Sequence, residues 1–209
     1  MKGDRIAITG AGIICAIGND KAEVLQSLIE GRSGIGTMHH LHSSHRELPV
    51  GEVHLSDHDM KLRLGLAPDS EVSRTALMGM IAVGQALDDA GVGAALRPHV
   101  CLVSGTTVGG MDLTERVFDT FATDDSHLPT LRTHDCGSIT RLIAAHCRLG
   151  GACTTVSTAC SSAANALIVG ARLISAGQAD IVVAGGTEAL TRFHLNGFRS
   201  LMITDTERC

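Results

Sequence analysis

Aromatic residues are almost absent from this sequence. It contains no tryptophan and no tyrosine, and only four phenylalanines among 209 residues. A core of large rings is therefore excluded, and the 24 glycines with many aliphatic residues suit close packing of helices on a sheet. A chain of this length buries roughly 70% of its unfolded surface, so a true core is possible.

Long runs of one residue type are also missing. No cluster of lysine and arginine occurs and the net charge is −5, so nucleic acid is not expected as a partner. No segment reaches the ~18 uninterrupted apolar residues of a membrane span. The first residues lack the apolar region of a secretory signal. We therefore expect no membrane association.

The cysteines show no pairing pattern. Their number is odd and no Cys-x-x-Cys motif occurs, which favours a reduced, cytoplasmic chain over a disulfide framework. The seven are Cys15, Cys101, Cys136, Cys147, Cys153, Cys160 and Cys209. A histidine-rich tract at residues 39–45 has no rigid helical spacing, so a solvated loop explains it better than a metal site. We expect neither a metal ion nor a cofactor.

Short apolar segments alternate with longer helical ones along the chain. Strands are predicted at residues 5–9, 100–104, 152–157 and 181–184, and helices at 22–30, 76–90, 138–149 and 161–176. Residues 36–70, rich in His, Ser and Asp, are expected to form an irregular surface excursion. The alternation indicates an α/β fold, a mostly parallel sheet covered by helices. No linker or repeat divides residues 1–209, so one domain is predicted.

Local signals refine three of these helices. Ser73 and Ser138 are predicted to cap the second and third helices, and Gly91 to end the second. The fourth helix, 161–176, is apolar almost all round, and we expect it to be central.

Cys160 lies where the third predicted strand turns into the fourth helix. Most intracellular cysteines are small buried hydrophobes, and that ordinary role has to be weighed first. At a helix start, however, unpaired backbone N–H groups and the helix dipole favour negative charge, which helps to form a reactive thiolate. The backbone N–H of the same residue can also hold an oxyanion when a thioester is attacked. We predict that Cys160 is an acyl-accepting nucleophile.

Two other kinds of site are disfavoured by spacing. After Gly10 and Gly12, a dinucleotide-binding fingerprint requires a further glycine where Cys15 stands. A nucleophile elbow requires glycines two residues either side of the nucleophile, where Thr158 and Ser162 stand.

The sequence around Cys160 and in several other segments resembles that of the β-ketoacyl synthases, condensing enzymes of the thiolase superfamily. The carrying motifs are Ser-Thr-Ala-Cys-Ser-Ser at 157–162, Ala-Gly-Gly-Thr-Glu at 184–188, Ile-Thr-Gly-Ala-Gly-Ile-Ile at 8–14 with Gly18, Leu-Ile-Glu-Gly-Arg-Ser-Gly-Ile at 28–35, Ala-Leu-Asp-Asp-Ala-Gly at 86–91, Val-Ser-Gly-Thr-Thr-Val-Gly-Gly at 103–110 and Gly-Phe at 197–198. Their number and order make the match specific.

The resemblance implies a thiolase-like layered fold, of which this chain is the first half of a duplicated unit. It implies that Cys160 accepts an acyl group from an acyl carrier protein. Decarboxylation of a malonyl group on a second carrier protein then yields the enolate that attacks the acyl-cysteine. It also implies a homodimer, or a heterodimer with a related subunit, across the strand at residues 154–157.

The same resemblance implies two histidines, one in a His-Gly-Thr-Gly stretch, and a nearby lysine that assist condensation. None of the 11 histidines here is followed by glycine. We expect those residues, and the family's Pro-Phe-Asp and Gly-Glu-Gly elements, beyond Cys209. Two alternatives stay open: a thiolase-type acyltransferase using coenzyme A, and a non-catalytic chain-length-factor-like subunit, although such subunits usually lack the cysteine.

Overall fold

The computed structural model describes residues 5–205. The helices in this range are α1 (Lys21–Ile29), α2 (Asp57–Arg63), α3 (Arg74–Asp89), α4 (Met111–Val117), α5 (Leu128–Leu131), α6 (Cys136–Cys147), α7 (Ser162–Ser175) and α8 (Arg192–Ser200). The strands are β1 (Cys101–Gly105), β2 (Cys153–Val156) and β3 (Val182–Gly186). Short 3-10 turns occupy Arg97–His99 and Asp125–His127.

The three strands form one parallel sheet in the order β2-β1-β3. Val103 of β1 stands opposite Thr154 on one side and Ala184 on the other. All five residues of β1 are buried, as expected for a central parallel strand. The predicted α/β fold with a parallel, helix-covered sheet is confirmed.

Alternate residues of β3 show that helices cover both faces of the sheet. A Cβ atom added to Gly170 of α7 would lie 3.0 Å from Ala184 and 3.2 Å from Val182. Val183, between them, packs against the core cluster that contains Met80 of α3 and Ile143 of α6. Because successive side chains of a strand point to opposite faces, α7 lies on one face and α3 with α6 on the other.

Helix boundaries follow their capping residues. The Ser73 side chain accepts a hydrogen bond from the N–H of Ala76, and Gly91 follows α3 with φ +67°, so both predictions are confirmed. The prediction for Ser138 is wrong. Asp135 caps α6 instead, and its side chain accepts the N–H of Ser138.

The strand predicted at residues 5–9 is wrong. This segment pairs with no described strand, and Ile8 is 91% exposed. An apolar cavity of about 620 Å³ separates residues 6–12 from β3. Gly10 touches α3 so closely that a Cβ there would lie 2.5 Å from the carbonyl oxygen of Ala86. The glycine therefore serves close packing on a helix, and no strand register holds the segment.

Two further expectations need correction. The 36–70 segment is not only a surface excursion, since it contains α2 and the fully buried Met60. Helix α7 is less central than its apolar sequence predicts, because Leu167 and Ile168 are 54% and 47% exposed. In the described part of the chain no helix is long and apolar enough to cross a membrane.

Candidate active site around Cys160

Cys160 lies in the turn between β2 and α7, and its side chain is exposed. The preceding residue, Ala159, has φ +52°, a region that non-glycine residues enter at a cost of about 1–3 kcal/mol. The surrounding contacts must therefore hold this backbone in place, and the strained turn is what projects the thiol.

Ser162, the first residue of α7, closes the turn with both its backbone and its hydroxyl. Its N–H and Oγ donate to the Ala159 carbonyl at 3.1 Å and 2.8 Å. The same Oγ accepts the N–H of Thr158 at 2.9 Å. One turn further along, Asn165 donates through Nδ2 to Thr158 Oγ1 at 2.9 Å. The nucleophile candidate thus lies inside a hydrogen-bonded turn anchored to the helix.

Two glycines of the sheet set the position of α7. A Cβ on Gly105, at the end of β1, would lie 2.6 Å from the carbonyl carbon of Ser162, and one on Gly186 would lie 2.7 Å from Cβ of Ala163. Real atoms do not approach so closely, so these positions require glycine for the helix to begin where it does. The carboxyl ends of β1 and β3 therefore place the first turn of α7.

The N-terminus of α7 offers backbone donors near the thiol. Ser161, the residue before the helix, makes no side-chain capping bond to it. The N–H of Cys160 donates no hydrogen bond to any residue from 5 to 205. A free N–H beside a helix start can donate a hydrogen bond to an oxyanion, which is the role predicted for it from the sequence.

The other described thiols lie in less favourable surroundings. Burial raises the pKa of Cys147 to about 11, and burial also raises the pKa of Cys136 and of Cys153. Cys101 is buried and Cys15 is partly buried. Cys153 lies on β2 and is exposed. Cys209 lies outside the described residues.

The histidine tract has a structural explanation. The Glu52 carboxylate accepts the backbone N–H groups of His39, His40 and Leu41 at 2.6–2.9 Å. The His40 ring nitrogen Nε2 lies 2.8 Å from the carbonyl oxygen of His54. Within residues 5–205 no three His, Cys, Asp or Glu side chains are grouped as a metal site.

Sequence reasoning missed two residues that the fold brings to this site. Thr107 Oγ1, in the loop after β1, donates to the Ala159 carbonyl at 3.3 Å. Glu188, after β3, accepts the N–H of Thr107 at 2.5 Å. Both lie in segments that carry the family resemblance, but no local pattern indicates that the two loops meet.

Comparison with known proteins matches nearly the whole length of the chain. The family model for the N-terminal domain of β-ketoacyl synthases matches residues 3–209. The chain belongs to the β-ketoacyl synthase family. The expected resemblance is thereby confirmed for this domain, and the motif that contains Cys160 is part of the match.

Two curated relatives illustrate the similarity within the family. The chain is 31% identical to 3-oxoacyl-[acyl-carrier-protein] synthase 1 of Escherichia coli (strain K12), over 89% of the chain and 47% of that protein. It is 30% identical to nodulation protein E of Rhizobium meliloti (strain 1021), over 88% of the chain and 47% of that protein. The chain therefore spans about half the length of the curated relatives it matches.

Solved structures of ketosynthases share the fold. The ishigamide ketosynthase/chain length factor superimposes with a TM-score of 0.81 at 24% identity, over 93% of this chain and 50% of that one. A β-ketoacyl synthase from Burkholderia phymatum STM815 gives 0.76 at 20% identity, over 96% of this chain and 50% of that one. The thiolase-like layered architecture expected from the sequence is confirmed.

Proposed function

We propose that this chain carries the acyl-accepting part of a decarboxylating β-ketoacyl synthase, with Cys160 as the nucleophile. The observation that carries the proposal is the exposed thiol on a strained turn at the start of α7, beside its own unbonded N–H. The E. coli relative, named for a carrier-protein substrate, supports acyl carrier protein as the donor. The reaction class is thus acyl transfer to cysteine followed by condensation.

In the first step the Cys160 sulfur attacks the carbonyl carbon of an acyl thioester on the carrier protein. A carbon–sulfur bond forms, and the carbonyl oxygen takes negative charge that the N–H of Cys160 can stabilise. Collapse of this intermediate breaks the bond to the carrier's phosphopantetheine sulfur, which leaves as a thiol with the proton lost by Cys160. The acyl group is then held as a thioester on the enzyme, a covalent intermediate of the usual nucleophilic kind.

In the second step a malonyl thioester loses carbon dioxide, and the enolate carbon attacks the acyl-cysteine carbonyl. The new carbon–carbon bond extends the chain by two carbons and returns the Cys160 thiolate. The enolate oxygen needs donors, which the family supplies through two histidines. None of the 11 histidines of this chain has the glycine neighbour of that motif, so we assign enolate stabilisation to residues outside these 209.

The open edge of β2 supports a dimer. Strand β2 pairs only with β1 among the described strands, and its residues Cys153 and Thr154 are exposed. An unpaired strand edge is a template for pairing with a second chain. We propose that the full protein pairs there with a second copy or a related subunit. Light scattering of the full-length protein tests this. Replacing Cys153, whose N–H points away from β1, by proline should weaken the dimer, whereas an unchanged dimer would contradict pairing at this edge.

A chain-length-factor-like role is the second candidate. It is favoured by similarity to two solved ketosynthase–chain length factor pairs, the second from Xenorhabdus doucetiae, with a TM-score of 0.77 at 24% identity, over 97% of this chain and 51% of that one. Retention of Cys160 at the turn argues for the catalytic role. The two roles differ in one measurable property, which is whether Cys160 becomes acylated.

The decisive experiment incubates the chain with an acyl carrier protein loaded with a saturated acyl group and follows acyl-cysteine by peptide mass spectrometry. We expect slow acylation at Cys160, none in Cys160→Ala, and unchanged acylation in Cys153→Ala, which removes another exposed thiol. With malonyl carrier protein added, we expect no condensation and no carbon dioxide release, since each missing oxyanion donor costs about 10²–10³ in rate. Robust β-ketoacyl product would overturn the assignment of enolate stabilisation to residues outside these 209. Acylation at another residue would overturn the assignment of Cys160 as the nucleophile.

A further inference from the structure

Glu188 ties the end of β3 to the loop that follows β1. Its carboxylate accepts hydrogen bonds from Thr106 Oγ1 at 3.0 Å and from the N–H of Thr107 at 2.5 Å. The N–H of Val108 reaches the same carboxylate at 3.5 Å. Three successive residues of one loop therefore converge on a single side chain about 80 positions further along the chain.

The loop held by Glu188 in turn touches the turn that presents Cys160. The Thr107 hydroxyl donates to the Ala159 carbonyl at 3.3 Å. Ala159 is the residue with φ +52°, and such a backbone persists only where its surroundings over-determine it. Apart from Thr107, the bonds to this carbonyl come from Ser162 of the same turn. Thr107 is thus the external support of the strained residue.

We propose that Glu188 is a positioning residue for Cys160: it holds the loop that carries Thr107, and the Thr107 hydroxyl holds Ala159 in the conformation that presents the thiol. This inference deepens the proposed function and rests on Cys160 being the nucleophile.

The charge of Glu188 cannot explain such a role. A carboxylate near a thiol disfavours the thiolate. The pKa of Cys136 shows this: burial raises it most, a hydrogen bond with Ser157 lowers it, and the negative charge of Glu188 raises it further. If Glu188 acted only by charge, removing it would make a nearby thiol more reactive. A positioning role predicts the opposite sign, because a relaxed turn moves the thiol and its N–H away from the start of α7.

The test compares variants at both positions. Glu188→Ala removes all three bonds and Thr107→Val removes only the hydroxyl. We expect both to slow acylation of Cys160 by about tenfold or more, in line with the loss caused by misplacing a reacting group. We expect both to shift the pH profile of Cys160 alkylation by iodoacetamide toward higher pH. Glu188→Gln keeps one acceptor oxygen, for Thr106 and Val108, but turns an NH2 group toward the N–H of Thr107, so it should fall between wild type and Glu188→Ala. Thr107→Ser, which keeps the hydroxyl, should stay close to wild type.

A matched control separates this role from general loosening. Glu52 also accepts three backbone N–H groups, from residues 39–41, in a loop that makes no hydrogen bond to residues 106–108 or 157–162. Glu52→Ala should therefore leave the alkylation profile of Cys160 unchanged even if it lowers the melting temperature. Circular dichroism identifies variants that fail to fold. If Glu188→Ala fails to fold, comparison of Thr107→Ser with Thr107→Val still tests the positioning role.

The outcomes separate this inference from the proposed function. If wild type forms no acyl-Cys160, the proposed function fails, while the alkylation profiles still test the positioning role. If wild type is acylated but Thr107→Val matches it, the positioning role is overturned. A shift of the Glu188→Ala profile toward lower pH would mean that charge dominates, and would also overturn it.

Discussion

Gly105 and Ser162 are in direct backbone contact: a Cβ on Gly105 would lie 2.6 Å from the carbonyl carbon of Ser162. The end of the central strand thus touches the first residue of the helix that follows Cys160. No side chain fits between them, so the strand fixes where the helix starts. The contact between Gly105 and Ser162, which are far apart in sequence, therefore sets the position of the turn that contains Cys160.

Replacing Gly105 by alanine should therefore displace the start of α7. Overpacking of this kind costs about 1–3 kcal/mol in the free energy of unfolding, and acylation of Cys160 should fall as well. Urea denaturation and the carrier-protein assay measure the two effects. Gly84→Ala is the control, because a Cβ there meets nothing within 4 Å, and alanine in a helix is favoured by up to about 1 kcal/mol. Equal stability of the two variants would contradict the packing argument.

Thiol labelling should follow the order of exposure and burial. We expect Cys160 to be alkylated first at neutral pH, since it is exposed at the start of a helix. Cys136 and Cys153 should follow slowly because burial raises the pKa of both. Cys147 should stay unlabelled until the protein unfolds. Limited alkylation with peptide mapping gives the order, and prior labelling of Cys136 or Cys147 would refute the nucleophile assignment.

Cys147 should also make stability depend on alkaline pH. Its folded-state pKa of about 11 lies above that of a free thiol, which is about 8.5. The folded state therefore holds the proton more tightly, and this stabilisation is complete below about pH 8.5 and is lost as the pH rises toward 11. The free energy of unfolding of Cys147→Ala should fall less over that interval. An identical decline in both proteins would contradict this origin.

Asp57 should contribute on the acid side. Burial alone would raise its pKa, but hydrogen bonds from Arg116 and Arg74, at 2.8 Å and 2.7 Å, outweigh burial and lower it. The stabilisation is thus present above the ordinary aspartate pKa and is lost as the pH falls through the lowered one. Asp57→Asn should cost about 1–3 kcal/mol at neutral pH, because the buried Arg74 loses a charged partner.

The control for Asp57 is its other partner. The Arg116 side chain is 57% exposed, so Arg116→Ala should cost less than about 1 kcal/mol. Chemical denaturation at pH 7 and pH 4 measures both variants. If the two substitutions were equally costly, the burial of Arg74 would not be the reason for the effect.

The cavity beside β3 should bind an apolar dye in the isolated chain. It holds about 620 Å³ and is lined by apolar side chains that include Ile8 and Ile174, and exposed apolar patches of this kind also favour association. Ile8→Glu should reduce the fluorescence of bound dye. Met202→Glu changes an equally exposed apolar side chain outside the cavity lining and should not. A dye-negative, stable monomer of wild type would contradict the expectation of an exposed apolar surface.

Local pattern was sufficient for elements whose partners lie nearby in the chain. Ser73 and Gly91 could be assigned because capping depends on a few neighbouring residues. Ser138 could not, since Asp135 offers an equally good cap three residues earlier. Leu25 and Leu28 lie on one face of α1, yet they are 59% and 64% exposed. Periodicity tells which residues share a face but not whether another element covers that face.

The sequence by itself determined the alternation of parallel strands and helices, the strand–turn–helix that contains Cys160, and the family to which these motifs point. The tertiary structure decided that residues 5–9 pair with no described strand and that Glu188 reaches Thr107 across 81 positions. The physical reason is that periodicity and capping act within a few residues. Strand pairing, close glycine contacts and a carboxylate shared by two loops arise only when distant segments meet.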